Sequence, residues 1–176
     1  MPGAIFVTVG TTEFDQLIEA IDSLEFLVVL RDKGFTKLTI QLGRGTYEPS
    51  CLPNEASRLG IELDVFRFKP TLDEDMSTAD LIVSHCGAGS ILEAVKNRKS
   101  LVVVVNETLQ DNHQTELADA MTAAGCCYST SPQHIVQTLR EAPVAAQGGT
   151  ASLQFPIIDS IGFCKAITSM FDFVKL

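Results

Sequence analysis

The chain has 176 residues, 45% of them apolar and 20% charged, with a formal net charge of −9. That is the size and composition of one domain with a real core, which excludes global disorder. The acidic balance excludes a general nucleic-acid binder and direct electrostatic docking on anionic lipid, both of which need clustered Lys and Arg.

In chain order, residues 4–9 (AIFVTV) form a short β-branched run that predicts a strand entering a loop at Gly10-Thr11-Thr12. Leu17, Ile21 and Leu24 then stand at helical spacing and predict one helix. Residues 37–42 (KLTIQL) read as a second strand closed by Gly43-Arg44-Gly45. Pro49, Pro53 and Gly60 make 46–60 mostly loop with room for a short helix. Residues 61–68 (IELDVFRF) predict a third strand. Thr71 is placed to cap a helix over 72–79, with Glu74 in the capping-box position. A fourth strand is expected over 80–84, then a turn at His85-Cys86-Gly87-Ala88-Gly89, and a helix from Ser90 to about Asn97. The fifth strand, 101–105 (LVVVV), is apolar throughout, the pattern of a strand buried on both faces of a parallel sheet. A helix from about Asp111 to Ala124 follows, then a short strand (CCYS, 126–129) with Cys126 and Cys127 on opposite faces. Ser131-Pro132 opens another helix. Residues 143–156 read as a linker, and 157–174 as a helix with a broad apolar face of Ile157, Ile161, Ile167, Met170, Phe171 and Val174.

Alternation of strands and helices with short connections predicts an α/β fold, a Rossmann-like doubly wound parallel sheet over residues 1–142. The five cysteines match no zinc spacing and read as reduced thiols. The N-terminus shows no signal-peptide pattern, and no apolar run approaches the ~18 residues of a membrane span. A soluble, cytoplasmic protein is expected.

Doubly wound sheets bind ligands at the carboxyl ends of their strands. Three segments present suitable groups there. In the first, Gly10 lets the backbone turn while Thr11 and Thr12 offer N–H and hydroxyl groups to an anion at a helix start; the segment is neither a GxGxxG fingerprint nor a Walker A loop. The second is Ser84-His85-Cys86-Gly87-Ala88-Gly89-Ser90 with Glu93. Gly87 and Gly89 let backbone N–H groups approach a diphosphate, His85 and Ser90 can donate to it, and Glu93 suits a ribose diol. The same spacing also makes Ser90 and Glu93 a capping box. The third runs from Asn106-Glu107 to Asp111-Asn112-His113-Gln114, and its polar side chains suit sugar hydroxyls; Asp111 equally suits a helix N-cap.

The run SHCGAGSILE, an apolar strand, and a loop ending in His-Gln resemble the nucleotide-binding signature of GT-B glycosyltransferases, including plant UDP-glycosyltransferases and the bacterial peptidoglycan N-acetylglucosaminyltransferase. A narrower resemblance rests on FVTVGTT (6–12), GRGT (43–46), Ala79-Asp80, Ser84-His85 with GAGS (87–90), and Asn112-His113-Gln114. In that order they are similar to the soluble catalytic subunit of the UDP-N-acetylglucosamine transferase of dolichol-linked oligosaccharide synthesis.

The resemblance implies one half of a GT-B glycosyltransferase, the C-terminal donor-binding half. It implies β-1,4 transfer of N-acetylglucosamine, with inversion, from UDP-GlcNAc to N-acetylglucosaminyl-diphosphodolichol. Glu93 would hold the ribose. His85, Gly87, Ala88, Gly89 and Ser90 would hold the diphosphate, with Gly10, Thr11 and Thr12 opposite. Phe68 and Lys69 would hold the uracil through ring and backbone contacts. Asn112, His113 and Gln114 would meet the donor sugar, His113 being the candidate catalytic base. Arg44 would offset diphosphate charge or sit in a surface salt bridge. No Asp-x-Asp run is present, and neither a cofactor nor a metal is expected. The implied partner is a membrane-anchored acceptor-binding subunit that recruits this chain to the cytosolic face of the endoplasmic reticulum; the apolar face of 157–174 would dock on it or pack on its own sheet. Two other classes fit parts of the pattern: a non-catalytic UDP-sugar-binding regulatory module, and another nucleotide enzyme on a Rossmann sheet.

Overall fold

The computed structural model describes residues 3–142 apart from 98, 107–112, 124 and 126. The expected linker at 143–156 and helix at 157–176 lie outside the described residues. Six strands, β1 (Gly3–Thr8), β2 (Phe35–Gln41), β3 (Glu62–Phe66), β4 (Leu81–His85), β5 (Ser100–Val104) and β6 (Tyr128–Thr130), form one sheet in the order β3-β2-β1-β4-β5-β6. All pairings are parallel, with Thr8 opposite both Gln41 and Ser84. This is the doubly wound sheet that the alternating elements predict.

Period-two alternation along the strands builds two cores. Ile5, Val7, Leu81, Val83, Val102 and Val104 face one way, onto helices α1 (Asp15–Ile21), α2 (Leu24–Asp32), α3 (Cys51–Glu55) and α7 (Ile135–Glu141). Phe6, Ile82, Leu101 and Val103 face the other, onto α4 (Asp73–Thr78), α5 (Ala88–Lys96) and α6 (His113–Ala123). Every residue of β5 is buried: Leu101 to Val104 as their unbroken apolarity requires, and Ser100 with them.

Several expectations at element ends change. The single helix expected after Thr12 is two. Ser23 ends the first by capping the second, its Oγ accepting from the Phe26 N–H at 3.2 Å. Asp22 leaves the helical path to accept from the Ser50, Cys51 and Leu52 N–H groups and the Tyr47 hydroxyl, at 2.8–2.9 Å. One carboxylate thereby satisfies the open N–H groups at the start of α3, and Leu24, expected on the buried face, is 49% exposed. The Thr71–Glu74 capping box does not form. The α4 helix begins at Asp73, so Thr71 lies one residue too early and its hydroxyl accepts from the Asp73 N–H at 3.2 Å. The third strand stops at Phe66 rather than 68, because Arg67 turns to the loop after β2. Cys127 is buried but precedes β6 instead of lying in it, and Cys126 is outside the described residues. Pro132 opens a 3-10 turn that leads into α7. Among the described residues no helix is long and apolar enough to cross a membrane.

Candidate functional site

From β1 the chain moves outward to β2 and β3; from β4 it moves the other way to β5 and β6. The carboxyl ends of β1 and β4 therefore flank the switch point, where such sheets open a crevice. Gly10 follows β1 and His85 ends β4, so both stand at that crevice.

His85 is held between two glycines. A Cβ on Gly10, whose φ is 62°, would lie 2.7 Å from the imidazole Cε1, and one on Gly87 would press still closer on Nε2. Neither position tolerates a side chain without moving the ring. The Gly10 turn is braced from below: its N–H donates to the Thr8 Oγ at 3.0 Å, and that hydroxyl donates to the Gln41 Oε1 at 2.6 Å. Burial lowers the His85 pKa below the ordinary histidine value, against a smaller opposing effect of the Thr8 backbone. Its Nδ1 is buried without a hydrogen-bond partner.

The helix after His85 begins two residues earlier than the sequence suggests. Ile91 N–H donates to the Gly87 carbonyl at 3.1 Å, which makes Gly87 the cap and Ser90 the third helical residue. Ser90 is therefore not an N-cap, and the Ser90–Glu93 capping box is absent. The first-turn N–H groups of α5 have no intrahelical acceptor and point out at the crevice, with the positive end of the helix dipole behind them. A Cβ on Gly89 would meet no atom within 4 Å. Glu93 is exposed, and its carboxylate has no partner among the described residues.

Across the crevice, α6 begins at His113. Gln114 brings its Oε1 into a buried position with no partner. The Cys86 thiol donates to the Gln114 carbonyl at 3.0 Å and ties the β4–α5 turn to the first turn of α6. Burial pushes the Cys86 pKa up to about 11, against a smaller effect of the Ala118 backbone, so the sulfur stays a protonated donor. Asn106 is buried just after β5. Glu107, Asp111, Asn112 and the side chain of His113 lie outside the described residues.

The remaining expected residues take up varied positions. Thr11 and Thr12 are exposed at the crevice but not at a helix start, since α1 begins at Asp15. The Thr12 hydroxyl is turned inward, donating to the Val9 carbonyl at 2.8 Å. Phe68 stands 54% exposed on the loop after β3. The Lys69 ammonium is committed elsewhere: it donates to Asp75 at 2.9 Å and Asp64 at 3.2 Å, and sits 3.9 Å from the centre of the Phe66 ring. What Lys69 offers a ligand is its backbone, in a loop that its side chain anchors. Arg44 is exposed, and its guanidinium makes no ion pair or hydrogen bond among the described residues. Sequence reasoning misses the supports: Thr8 and Gln41, Cys86, and Arg67. The one legible signal is a polar residue inside each of two apolar strands, Thr8 and Gln41, both fully or nearly buried.

Comparison with known proteins bears on the family and the fold. The model of the glycosyltransferase family 28 C-terminal domain matches residues 4–147. A human protein named UDP-N-acetylglucosamine transferase subunit ALG13 is 46% identical over 121 residues, 69% of this chain but 10% of its own length. The solution structure of ALG13 superposes with a TM-score of 0.66 at 26% identity, covering 96% of this chain and 97% of that one. Acinetobacter baumannii MurG, at 18% identity and a TM-score of 0.55, covers 80% of this chain with 40% of its own and shows the shared GT-B-type fold. The chain belongs to the glycosyltransferase family 28 C-terminal domains and is a homologue of the UDP-N-acetylglucosamine transferase subunit ALG13 proteins.

Proposed function

We propose that the chain is the donor-binding half of an inverting glycosyltransferase that moves N-acetylglucosamine from UDP-GlcNAc to N-acetylglucosaminyl-diphosphodolichol, forming a β-1,4 linkage. The observation that carries the reading is the pair of buried, unpartnered polar atoms, His85 Nδ1 at the end of β4 and Gln114 Oε1 in the first turn of α6, two segments that the Cys86–Gln114 hydrogen bond ties together. Burying such atoms costs about 1–3 kcal/mol each unless a ligand or water supplies the missing bond.

In this reading the diphosphate lies against the first turn of α5 and the His85 ring, Glu93 takes the ribose diol, Phe68 stacks on the uracil, and Gln114 orients the sugar. As the glycosidic bond breaks, charge gathers on the leaving diphosphate. Fixed N–H donors and the α5 dipole stabilise it without reorganising, and losing one such donor costs ~3 kcal/mol, about a hundredfold in rate. Charge neutralisation of this kind needs no divalent ion. Transfer is expected to survive a chelator; abolition by chelator with recovery in manganese overturns metal independence. The acceptor site comes from a membrane-anchored partner that holds this chain at the cytosolic face of the endoplasmic reticulum, and the base comes either from that partner or from His113, the candidate on this chain.

The test adds the purified chain, wild type or Glu93→Ala, to endoplasmic-reticulum membranes depleted of their own soluble subunit and follows labelled GlcNAc into lipid. Transfer that needs both components and collapses in the variant supports the reading. UDP-GlcNAc binding without transfer favours a regulatory module, and tighter binding of NAD or S-adenosylmethionine than of UDP ends the transferase reading.

A further inference from the structure

Two loops at the carboxyl edge of the sheet, the one after β2 and the one after β3, are joined by a single side chain. The ladder between the strands ends where the Leu42 N–H donates to the Phe66 carbonyl at 2.8 Å. Beyond it lies an open cleft of about 320 Å³ with Leu42, Pro49, Pro53, Val65 and Phe66 in its walls, so side-chain packing does not hold the loops together. The hydrogen bonds that cross between the loops among the described residues all come from Arg67. It donates to the Gly45 carbonyl at 2.5 Å, reaches that of Gly43 at 3.5 Å, and pairs with Glu48 through its other terminal nitrogen. The β2 loop is itself fixed. Gly43, with φ 59°, packs so closely on the β1 loop that a Cβ would lie 3.0 Å from the Gly10 carbonyl oxygen, and the Asp15 carboxylate accepts from the Thr46 N–H and hydroxyl, both at 2.9 Å. Lys69 ties the β3 loop in the other direction: it donates to Asp75 of α4 at 2.9 Å and to Asp64 of β3 at 3.2 Å, and lies 3.9 Å from the centre of the Phe66 ring. Phe68 stands between these two anchors, 54% exposed.

We infer that Arg67 is a positioning residue for the nucleobase of the donor; this rests on the transferase reading above, in which Phe68 stacks on the uracil. An aromatic ring on an unrestrained loop has to be ordered when a base stacks on it, and that ordering weakens the net affinity. With Arg67 and Lys69 drawing the loop towards opposite sides, the ring is already ordered in the free chain. The placement fits the length of the donor. Three strand spacings, ~14 Å, separate β3 from β4, so the Phe68 loop and the first turn of α5 stand about one extended nucleoside diphosphate apart. Both segments lead into helices on the same face of the sheet, α4 and α5. The Arg67 fork is taken up by the Gly45 carbonyl and Glu48 and has nothing left for a ligand, so its effect on binding passes through Phe68.

The experiment titrates UDP into the wild-type chain, Arg67→Ala, Phe68→Ala and the double variant, below the melting temperature of each. Phe68→Ala should weaken binding by about tenfold or more, the scale of one base–aromatic stack. Arg67→Ala should weaken it by roughly tenfold through the lost ordering of the loop. The double variant should bind within about twofold of Phe68→Ala, because the ring that Arg67 holds is gone. Losses that multiply overturn the assignment, since Arg67 would then act on the ligand or the fold independently of Phe68. So does unchanged UDP affinity in either single variant. Arg67→Lys keeps the cation and the stem but not the fork, and should fall between wild type and Arg67→Ala; it carries the same cycle if the alanine chain does not fold. A wild-type chain that binds ADP as tightly as UDP, or binds neither, fails the donor reading itself, and this proposal falls with it. A wild-type chain that prefers UDP beside an Arg67→Ala chain of equal affinity fails this proposal alone.

Discussion

Gly10, Gly87 and Gly89 border one crevice, yet only two of them are glycine for the protein's own sake. Gly10→Ala and Gly87→Ala each drive a methyl into the His85 ring, and the first also carries a left-handed φ, so each should destabilise the fold by about 1–3 kcal/mol. Gly89 is helical and faces open space, so Gly89→Ala should raise stability by up to ~1 kcal/mol. If backbone there approaches a diphosphate, the same change should cut UDP affinity tenfold or more. Thermal melts with and without UDP measure both, and a Gly89→Ala chain of undiminished affinity would remove α5 from the donor site. His85 makes a second prediction. Its pKa in the free protein lies below the usual value near 6.5 because it is buried. An adjacent diphosphate favours the cation and raises it, so the complex binds more protons than its separated components. UDP-GlcNAc affinity should therefore rise as pH falls through the complexed pKa towards the free one, and should flatten above it. Calorimetry near pH 6 in buffers of differing ionisation heat should show proton uptake that His85→Gln abolishes; no uptake in the wild type would place the diphosphate away from this ring. The residues with chemistry in their own short motif, such as His85, Gly87 and Glu93, were legible in sequence. Their supports were not, because Arg67 and Cys86 act on partners 22 and 28 residues away.

Helices and strands were legible where one periodicity ran unbroken, and misjudged where a polar residue bonded outside its own element. The burial of Leu101 to Val104 in β5 follows from the apolar run 101–105, in which neither face is polar. The break between α1 and α2 does not follow from Leu17, Ile21 and Leu24, since its cause is Asp22 reaching α3. The start of α5 was misplaced for a related reason: Ser-x-x-Glu spells a capping box, but the turn at Gly87 nucleates the helix first. Asp22 allows the element-scale account to be checked. Burial raises its pKa, but the Ser50 and Leu52 N–H groups, the Tyr47 hydroxyl and the Cys51 N–H outweigh burial and hold it below the ordinary carboxylate value. The same bond pushes the Tyr47 pKa up to about 12. A depressed folded pKa contributes stability that is complete above the unfolded value, ~3.9, and is lost as pH falls through the folded value. Asp22→Ala should cost about 2 kcal/mol at pH 7 in urea unfolding, the upper range for a lost helix cap. The gap between variant and wild type should narrow below about pH 4. A gap independent of pH would mean that Asp22 acts through packing and not through its charge.

At the scale of the molecule, every strand points its carboxyl end the same way, so one edge of the sheet collects the loops after β1, β2, β3, β4 and β5 while the other edge carries only returns. The two cores are closed on both faces, which leaves that edge as the place where buried polar atoms stand without partners among the described residues. The chain spans a tenth of its human relative and stands beside 40% of MurG, so the surface opposite this edge has to be supplied by something else in the transferase reading. A ligand that binds there stabilises the whole cooperative unit by mass action, about 2.7 kcal/mol at a hundredfold excess over Kd. It also protects locally the groups it touches or orders. Hydrogen exchange on the isolated chain with saturating UDP-GlcNAc should therefore slow most at 10–12, at 85–91 and at the start of α6. The opposite edge, at 33–34, 60–61 and 79–80, should gain only the uniform global component. Protection concentrated at that opposite edge would move the donor off the switch point. Uniform protection with no local maximum would mean that ligand binding is linked to folding without using the His85 crevice, and the assignment of His85, Gly89 and Glu93 to the donor would have to be given up.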